Sequence, residues 1–138
     1  MNADSIEKAC VVGAGTMGHG IAQVLAMCGV ETRLFDVDPA AVERGLTRVR
    51  ANLDKGVDKG KVEASARDAA VAKLSGSTDL GEASTGVGCV IEAAPERIDL
   101  KRNLFAELGG ALGPDVLLAT NTSSLSIAEI AEAAPHPE

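Results

Sequence analysis

The sequence predicts an α/β fold, a doubly wound and mostly parallel sheet with helices on both faces, built as one domain over residues 1–138. Three observations predict it. Short apolar runs alternate along the chain with longer segments of helical period. The first run is followed at once by Gly13-Ala14-Gly15-Thr16-Met17-Gly18. Hydrophobic residues make up 46% of the chain, yet there is no Trp or Tyr and there are two Phe, so the core must be built from Val, Leu, Ile and Ala.

Lys8–Val12 is the first strand, and its continuous apolar run fits burial on both faces. The first helix begins near Thr16. Met17, Ile21, Val24, Leu25 and Cys28 follow helical spacing and are expected to face the core, and Gly29 is placed to end the helix. Glu31–Phe35 is the second strand. Asp38 caps a second helix with Pro39 at its first position. Val42, Leu46, Val49 and Leu53 form the buried stripe of that helix, with Glu43, Arg44, Arg48 and Arg50 outward.

Gly56 and Gly60 bracket an expected break, and the alanine-rich stretch Lys61–Leu74 is expected to be helical until Gly76 closes it. Ser77–Leu80 reads as a short edge or connecting strand, and Val87–Ala93 as a buried one. Pro95 and Glu96 are expected to open a helix whose Ile98, Phe105, Leu108 and Leu112 face the sheet. Gly113-Pro114-Asp115 is a turn, Val116–Thr120 the next strand, and Asn121-Thr122-Ser123-Ser124 its polar end. Ser126 and Glu129 form a capping box for a last short helix.

The glycine run has a specific physical meaning in this context. Gly13 lets the chain turn out of the strand, Gly15 lets the backbone approach a pyrophosphate, and Gly18 lets the helix pack on the strand. The free N–H groups and positive dipole end of the helix then hold the phosphates. Strand, glycine turn, helix, second strand and the terminal acid Asp36 stand at the spacing of a Rossmann-type dinucleotide fingerprint. The alternative is a glycine-rich turn that binds nothing. In doubly wound sheets ligands sit beyond the carboxyl ends of the strands. That rule gathers Gly13–Gly18, Asp36, Ala93–Glu96 and Asn121–Ser123 into one site.

Asp36 is placed to accept both hydroxyls of an adenosine ribose, and its charge would repel a 2′-phosphate, so NAD is favoured over NADP. Read blandly, it is a turn residue. Arg33 lies three positions upstream and should point to the opposite face. Glu92 is either solvated or ligand-facing, and Glu96 either lines the site or complements a helix dipole. Lys101 reads most simply as a surface lysine. Ser123 either orients a substrate oxygen or belongs to a polar turn; no G-x-S-x-G elbow supports a serine nucleophile. His19 reads as a loop or packing residue, and nothing positions His136 as a base.

The net charge of −7, with no basic run, argues against nucleic acid and an anionic membrane surface as partners. Cys10, Cys28 and Cys89 lack CxxC spacing and lie in apolar stretches, so buried reduced thiols are expected. Two histidines give a metal site little support. There is no signal-peptide pattern and no apolar run long enough to span a bilayer, and a cytoplasmic protein is expected.

With these residues in view, the chain closely resembles the N-terminal domain of 3-hydroxyacyl-CoA dehydrogenases, the 3-hydroxybutyryl-CoA dehydrogenase type in particular. Residues 12–22, from Val12-Gly13-Ala14-Gly15 to Ile21-Ala22, resemble the family's nucleotide loop. Val90-Ile91-Glu92-Ala93-Ala94-Pro95-Glu96 with Lys101 resembles its fourth-strand motif, and Asn121-Thr122-Ser123-Ser124-Leu125 its fifth. The resemblance implies NAD as cofactor and an acyl-CoA substrate, interconverted between 3-hydroxyacyl and 3-oxoacyl forms. It implies that Gly13, Gly15, Thr16, Met17, Gly18, Asp36 and Asn121 bind cofactor and that Ala93, Glu96 and Lys101 line its nicotinamide half. It assigns Ser123 to substrate and cofactor near the reacting carbon. Asn52 and Lys59 match positions that contact coenzyme A, although a solvated helix-end lysine is as good a reading of Lys59.

The resemblance also implies a departure. The family's catalytic histidine sits in a G-[LM]-H-F-F-N-P segment that this sequence does not contain, and His136 does not match it. The histidine, its partner Glu, a substrate-binding Asn and the helical domain that makes a homodimer are expected beyond Glu138, so residues 1–138 alone are expected to be inactive. The rival readings are a stand-alone NAD(H)-binding module and another hydroxy-acid dehydrogenase of the same superfamily.

Overall fold

The computed structural model describes residues 5–137. Five strands form one parallel sheet: β1 Lys8–Val12, β2 Glu31–Phe35, β3 Leu74–Ser77, β4 Cys89–Glu92 and β5 Leu117–Thr120. Their spatial order is β3-β2-β1-β4-β5. Six helices connect or follow them: α1 Thr16–Met27, α2 Pro39–Asp58, α3 Ala64–Ala72, α4 Leu80–Ser84, α5 Ile98–Ala111 and α6 Ile127–Ala131. The chain winds outward from β1 to β3 and then crosses back to β4, which puts the switch point between the carboxyl ends of β1 and β4.

Successive side chains of a strand point to opposite faces, and β1 divides the core accordingly. Cys10 and Val12 pack with Phe35, Ala83, Val87, Val90 and Leu108 on the face covered by α4 and α5. Val11 packs with Ala14, Ala22, Leu34, Val42 and Leu46 beneath α1 and α2. A third cluster, Ala26, Val49, Leu53 and Ala70, joins α1, α2 and α3. Each fully buried Val or Leu here contributes about 1.5–3 kcal/mol. The stripe expected on α2 is therefore the buried one, and Asp38 caps that helix by accepting the Ala40 N–H at 2.9 Å.

Helix α1 differs from its expected orientation. Its buried residues are Gly18, Ala22 and Ala26, while Met17 and Val24 are more than half exposed and Cys28 is exposed. Ile21 and Leu25 are partly buried at the border of the core. The cause is close approach: a Cβ on Gly18 would overlap the Gly13 carbonyl, so the sheet-facing row must be small. Cys28 is thus an exposed thiol, unlike Cys10 and Cys89, which are free and buried as expected.

The region between α2 and β4 also differs. Helix α2 continues through Gly56, with Val62 packed over that glycine, and ends at Asp58. The edge strand is Leu74–Ser77, not Ser77–Leu80, with Leu74 opposite Thr32 and Gly76 opposite Leu34. Gly76 is inside the strand because Val42 and Leu46 of α2 lie directly over it, where a Cβ would clash. Residues 80–84 form α4, capped by Asp79 through the Glu82 N–H at 2.9 Å. Helix α5 begins at Ile98 instead of Pro95, because residues 95–97 form a tight turn in which the Arg97 N–H donates to the Pro95 carbonyl at 2.7 Å.

Candidate functional site: a cavity at the switch point

The carboxyl ends of the strands are laced together by backbone hydrogen bonds. The Gly13 N–H donates to the Phe35 carbonyl at 2.8 Å, the Ala93 N–H to Val12 at 2.7 Å, and the Asn121 N–H to Glu92 at 2.7 Å. Gly13 has φ +104°, and a Cβ there would lie 2.6 Å from the Ala93 carbonyl oxygen. Only glycine combines that conformation with that approach. Gly15 is different: its backbone is extended, and nothing lies within 4 Å of where its Cβ would be. The first and third glycines are therefore required by the protein's own packing, and the second opens onto empty space.

That space is a cavity of about 470 Å³. Gly13, Gly15, Thr16 and Met17 form its floor at the start of α1, and Asp36 closes it at the end of β2. Ala93, Ala94, Pro95 and Glu96 line it after β4, and Asn121 and Ser123 after β5. The structure thus brings together nearly every residue gathered from the sequence. Gly18 lies buried beneath the floor.

Asp36 is half-buried at the cavity's rim. Its Oδ2 accepts the Ala14 N–H and its Oδ1 the Asp38 N–H, each at 3.0 Å. The turn role and a ligand role are compatible, since each carboxylate oxygen can accept a further hydrogen bond. Arg33 points away, donating from Nη1 to the carbonyls of Glu82 and Thr85 at 2.9 Å. The floor presents the N-terminus of α1, which has no side-chain cap and no acidic residue in its first turn. Free N–H groups and positive potential meet there, suited to a pyrophosphate.

The opposite end of the cavity holds an ion-pair network. Lys101, which read as a surface lysine, is wholly buried. Its Nζ donates to both oxygens of buried Glu92 at 2.8 and 2.9 Å, to the Ala94 carbonyl at 3.2 Å, and pairs with Glu96 Oε1 at 3.0 Å. It lies behind the wall, not in it. Glu96 Oε2 accepts the hydroxyls of Thr122 at 2.7 Å and Ser124 at 3.1 Å. These contacts, the Thr122 hydroxyl first and Lys101 next, hold the Glu96 carboxyl below the usual carboxylate range. Thr120 and Ser124 were not gathered into the site from the sequence, and Thr122 entered it only within the range Asn121–Ser123. Their only signal was a run of hydroxyl residues after a strand, which a polar turn explains equally well.

Several candidates lie elsewhere. Asn52 and Lys59 are exposed on α2 and at its C-cap and do not line the cavity; Asn52 donates to Gln23 Oε1 at 3.2 Å. Lys59 is about 30 Å of helix away from Pro39. His19 Nδ1 donates to the Gly15 carbonyl at 2.7 Å. His136 lines a separate cavity with Gly113, Pro114 and Leu112. Among the described residues no group of three or more His, Cys, Asp or Glu could hold a metal.

Known proteins match this geometry and sequence closely. The family model described as "3-hydroxyacyl-CoA dehydrogenase, NAD binding domain" matches residues 8–138. The chain belongs to this family. It is 41% identical over 136 residues to a 3-hydroxybutyryl-CoA dehydrogenase of Mycobacterium tuberculosis, covering 98% of this chain and 47% of that protein. It is 39% identical over 134 residues to the 3-hydroxyadipyl-CoA dehydrogenase of Escherichia coli, covering 97% of this chain and 28% of the relative. The crystal structure of 3-hydroxybutyryl-CoA dehydrogenase from Escherichia coli K12 superposes with a TM-score of 0.93 at 38% identity, over 97% of this chain and 28% of that one. The chain spans less than half the length of these relatives. Its cofactor, as that of the NAD-binding domain family, is NAD.

Proposed function

We propose that residues 1–138 form the cofactor-binding unit of an enzyme that interconverts 3-hydroxyacyl-CoA and 3-oxoacyl-CoA. The observation that carries this reading is the continuous cavity running from Asp36, over the open side of Gly15, to Ser123. Asp36 would hold the adenosine ribose, the α1 N-terminus the pyrophosphate, and Ala93, Glu96, Asn121 and Ser123 the nicotinamide riboside. When bound, NAD supplies the hydride acceptor; the chain's own residues bind and orient it. Asn52 and Lys59 are exposed outside this cavity, and on this reading they would contact the coenzyme A part of the substrate. A cytoplasmic location goes with this reading, supported by three unpaired cysteines. So does a homodimer for the full-length enzyme.

Among the described residues no histidine lines the cavity, so this chain contributes cofactor binding and not the base. The test is to titrate the purified chain with NADH and then assay NADH formation from NAD and 3-hydroxybutyryl-CoA. Binding without useful turnover is expected, since a positioned base typically contributes about 10²–10⁴-fold. A longer chain carrying the family's histidine segment and helical domain is expected to turn over. Comparable rates from both would relocate the base and return His136 to consideration.

A further inference from the structure

Glu92 is absent from the cavity's lining, yet the wall is built around it. It stands opposite Val12 in the sheet, on the face covered by α5, with its carboxylate wholly buried. Four hydrogen bonds converge on that carboxylate: the Ala94 N–H, two from Lys101 Nζ, and the Thr120 hydroxyl at 2.6 Å. Lys101 passes the connection on to Glu96, and Glu96 to Thr122 and Ser124. One continuous path of polar contacts therefore runs from β5 through β4 and α5 back to the loop after β5. Between its two ends lie the cavity-lining Ala93, Ala94, Pro95, Asn121 and Ser123.

A buried ion pair adds little to stability compared with apolar side chains of the same volume, so the network needs another reason to be there. Its geometry supplies one. Thr120 also accepts the Thr122 N–H at 3.3 Å, so the Glu92–Thr120 contact fixes the point where β5 becomes loop. Lys101 has no N–H left to offer a ligand, because its donors go to Glu92, Ala94 and Glu96. It acts on the cavity only by holding other groups.

We propose that Glu92 is a positioning residue for the nicotinamide half of the cofactor, fixing loops 93–96 and 121–124 through Lys101 and Thr120. The inference rests on the reading that the Asp36 end takes adenosine and the Ser123 end nicotinamide riboside. Supporting side chains of this kind hold ligand-contacting groups within about half an ångström of the productive geometry.

The experiment compares NADH with ADP, which carries the adenosine and diphosphate but no nicotinamide riboside, by calorimetric titration of this chain. Glu92→Gln is expected to weaken NADH about tenfold while ADP affinity stays within about twofold. Thr120→Val should give the same split, and Thr120→Ser, which restores the hydroxyl, should recover NADH affinity. Equal weakening of NADH and ADP overturns the inference, as does unchanged NADH affinity in both variants. Loss of the fold in both, seen by circular dichroism, also overturns it, because the network would then serve stability alone. An unaltered chain that binds ADP but not NADH removes the assignment of the cavity's two ends, and one that binds neither removes the cofactor site. Either result precedes the variants and takes the inference with it.

Discussion

Asp36 and Ala14 are joined by a 3.0 Å hydrogen bond from the Ala14 N–H to the Asp36 carboxylate, which ties the end of β2 to the middle of the glycine loop. The carboxylate proposed to meet a ribose is thus fixed relative to the backbone proposed to meet the diphosphate. NADH should bind more tightly than NADPH, whose 2′-phosphate would face Asp36. Replacing Asp36 by Ala should narrow that gap and weaken NADH by about 1.5–3 kcal/mol, the value of hydrogen bonds to a charged acceptor. Fluorescence titration of both cofactors checks this, and equal affinity of the unaltered chain for the two would refute it.

Two glycines of the loop should respond to substitution in opposite ways. Gly15→Val should abolish NADH binding yet leave thermal stability nearly unchanged, because its side chain enters open space at an unstrained φ of −75°. Gly18→Ala should destabilise the fold by about 1–3 kcal/mol through overpacking against the Gly13 carbonyl. Thermal melts paired with titration separate the two effects, and a Gly18→Ala protein as stable as the unaltered chain would contradict that close contact.

Removing Lys101 leaves the buried Glu92 carboxylate charged and without its cation. Lys101→Met should cost about 3–5 kcal/mol. The double variant Lys101→Met/Glu92→Gln should recover part of that loss, since no buried charge is then stranded. Denaturant unfolding of the set measures the coupling. Additive losses in the double variant would mean that the pair does not act as a unit.

The Glu96 carboxyl sits below the usual carboxylate range, chiefly because the Thr122 hydroxyl donates to it. A lowered folded-state pKa means a contribution that is present at neutral pH and lost as the pH falls through the folded value. Thr122→Val should therefore raise the Glu96 titration midpoint toward the ordinary value of about 4.3. Stability at neutral pH should be little affected, because the group is partly exposed. Carbon-detected NMR titration of the side-chain carboxyls reads the shift directly, and an unmoved midpoint would assign the effect to Lys101 instead.

The alternation of strands and helices, the buried stripe of α2 and the caps at Asp38 and Ser126 were legible in the sequence. So was the cavity, because it is made where local signals fall: a glycine turn after a strand, an acid at the next strand's end, and polar residues after two more. Residue type and spacing are enough for such features, since each depends on a few neighbouring residues and on the one-way winding of parallel strands.

What the sequence did not contain is how closely the elements approach one another. Helical spacing pointed to Met17, Val24 and Cys28 as the inner face of α1, but contact with the Gly13 carbonyl selects the small row of Gly18, Ala22 and Ala26. Gly76 looked like a terminator, but α2 lies across it and makes it part of a strand. Lys101 looked like a surface lysine because nothing local announces a carboxylate nine residues away. Hydrophobic period and turn chemistry are properties of a segment. Interhelical distance and the burial of a charge are properties of two segments brought together, and only the tertiary structure decides them.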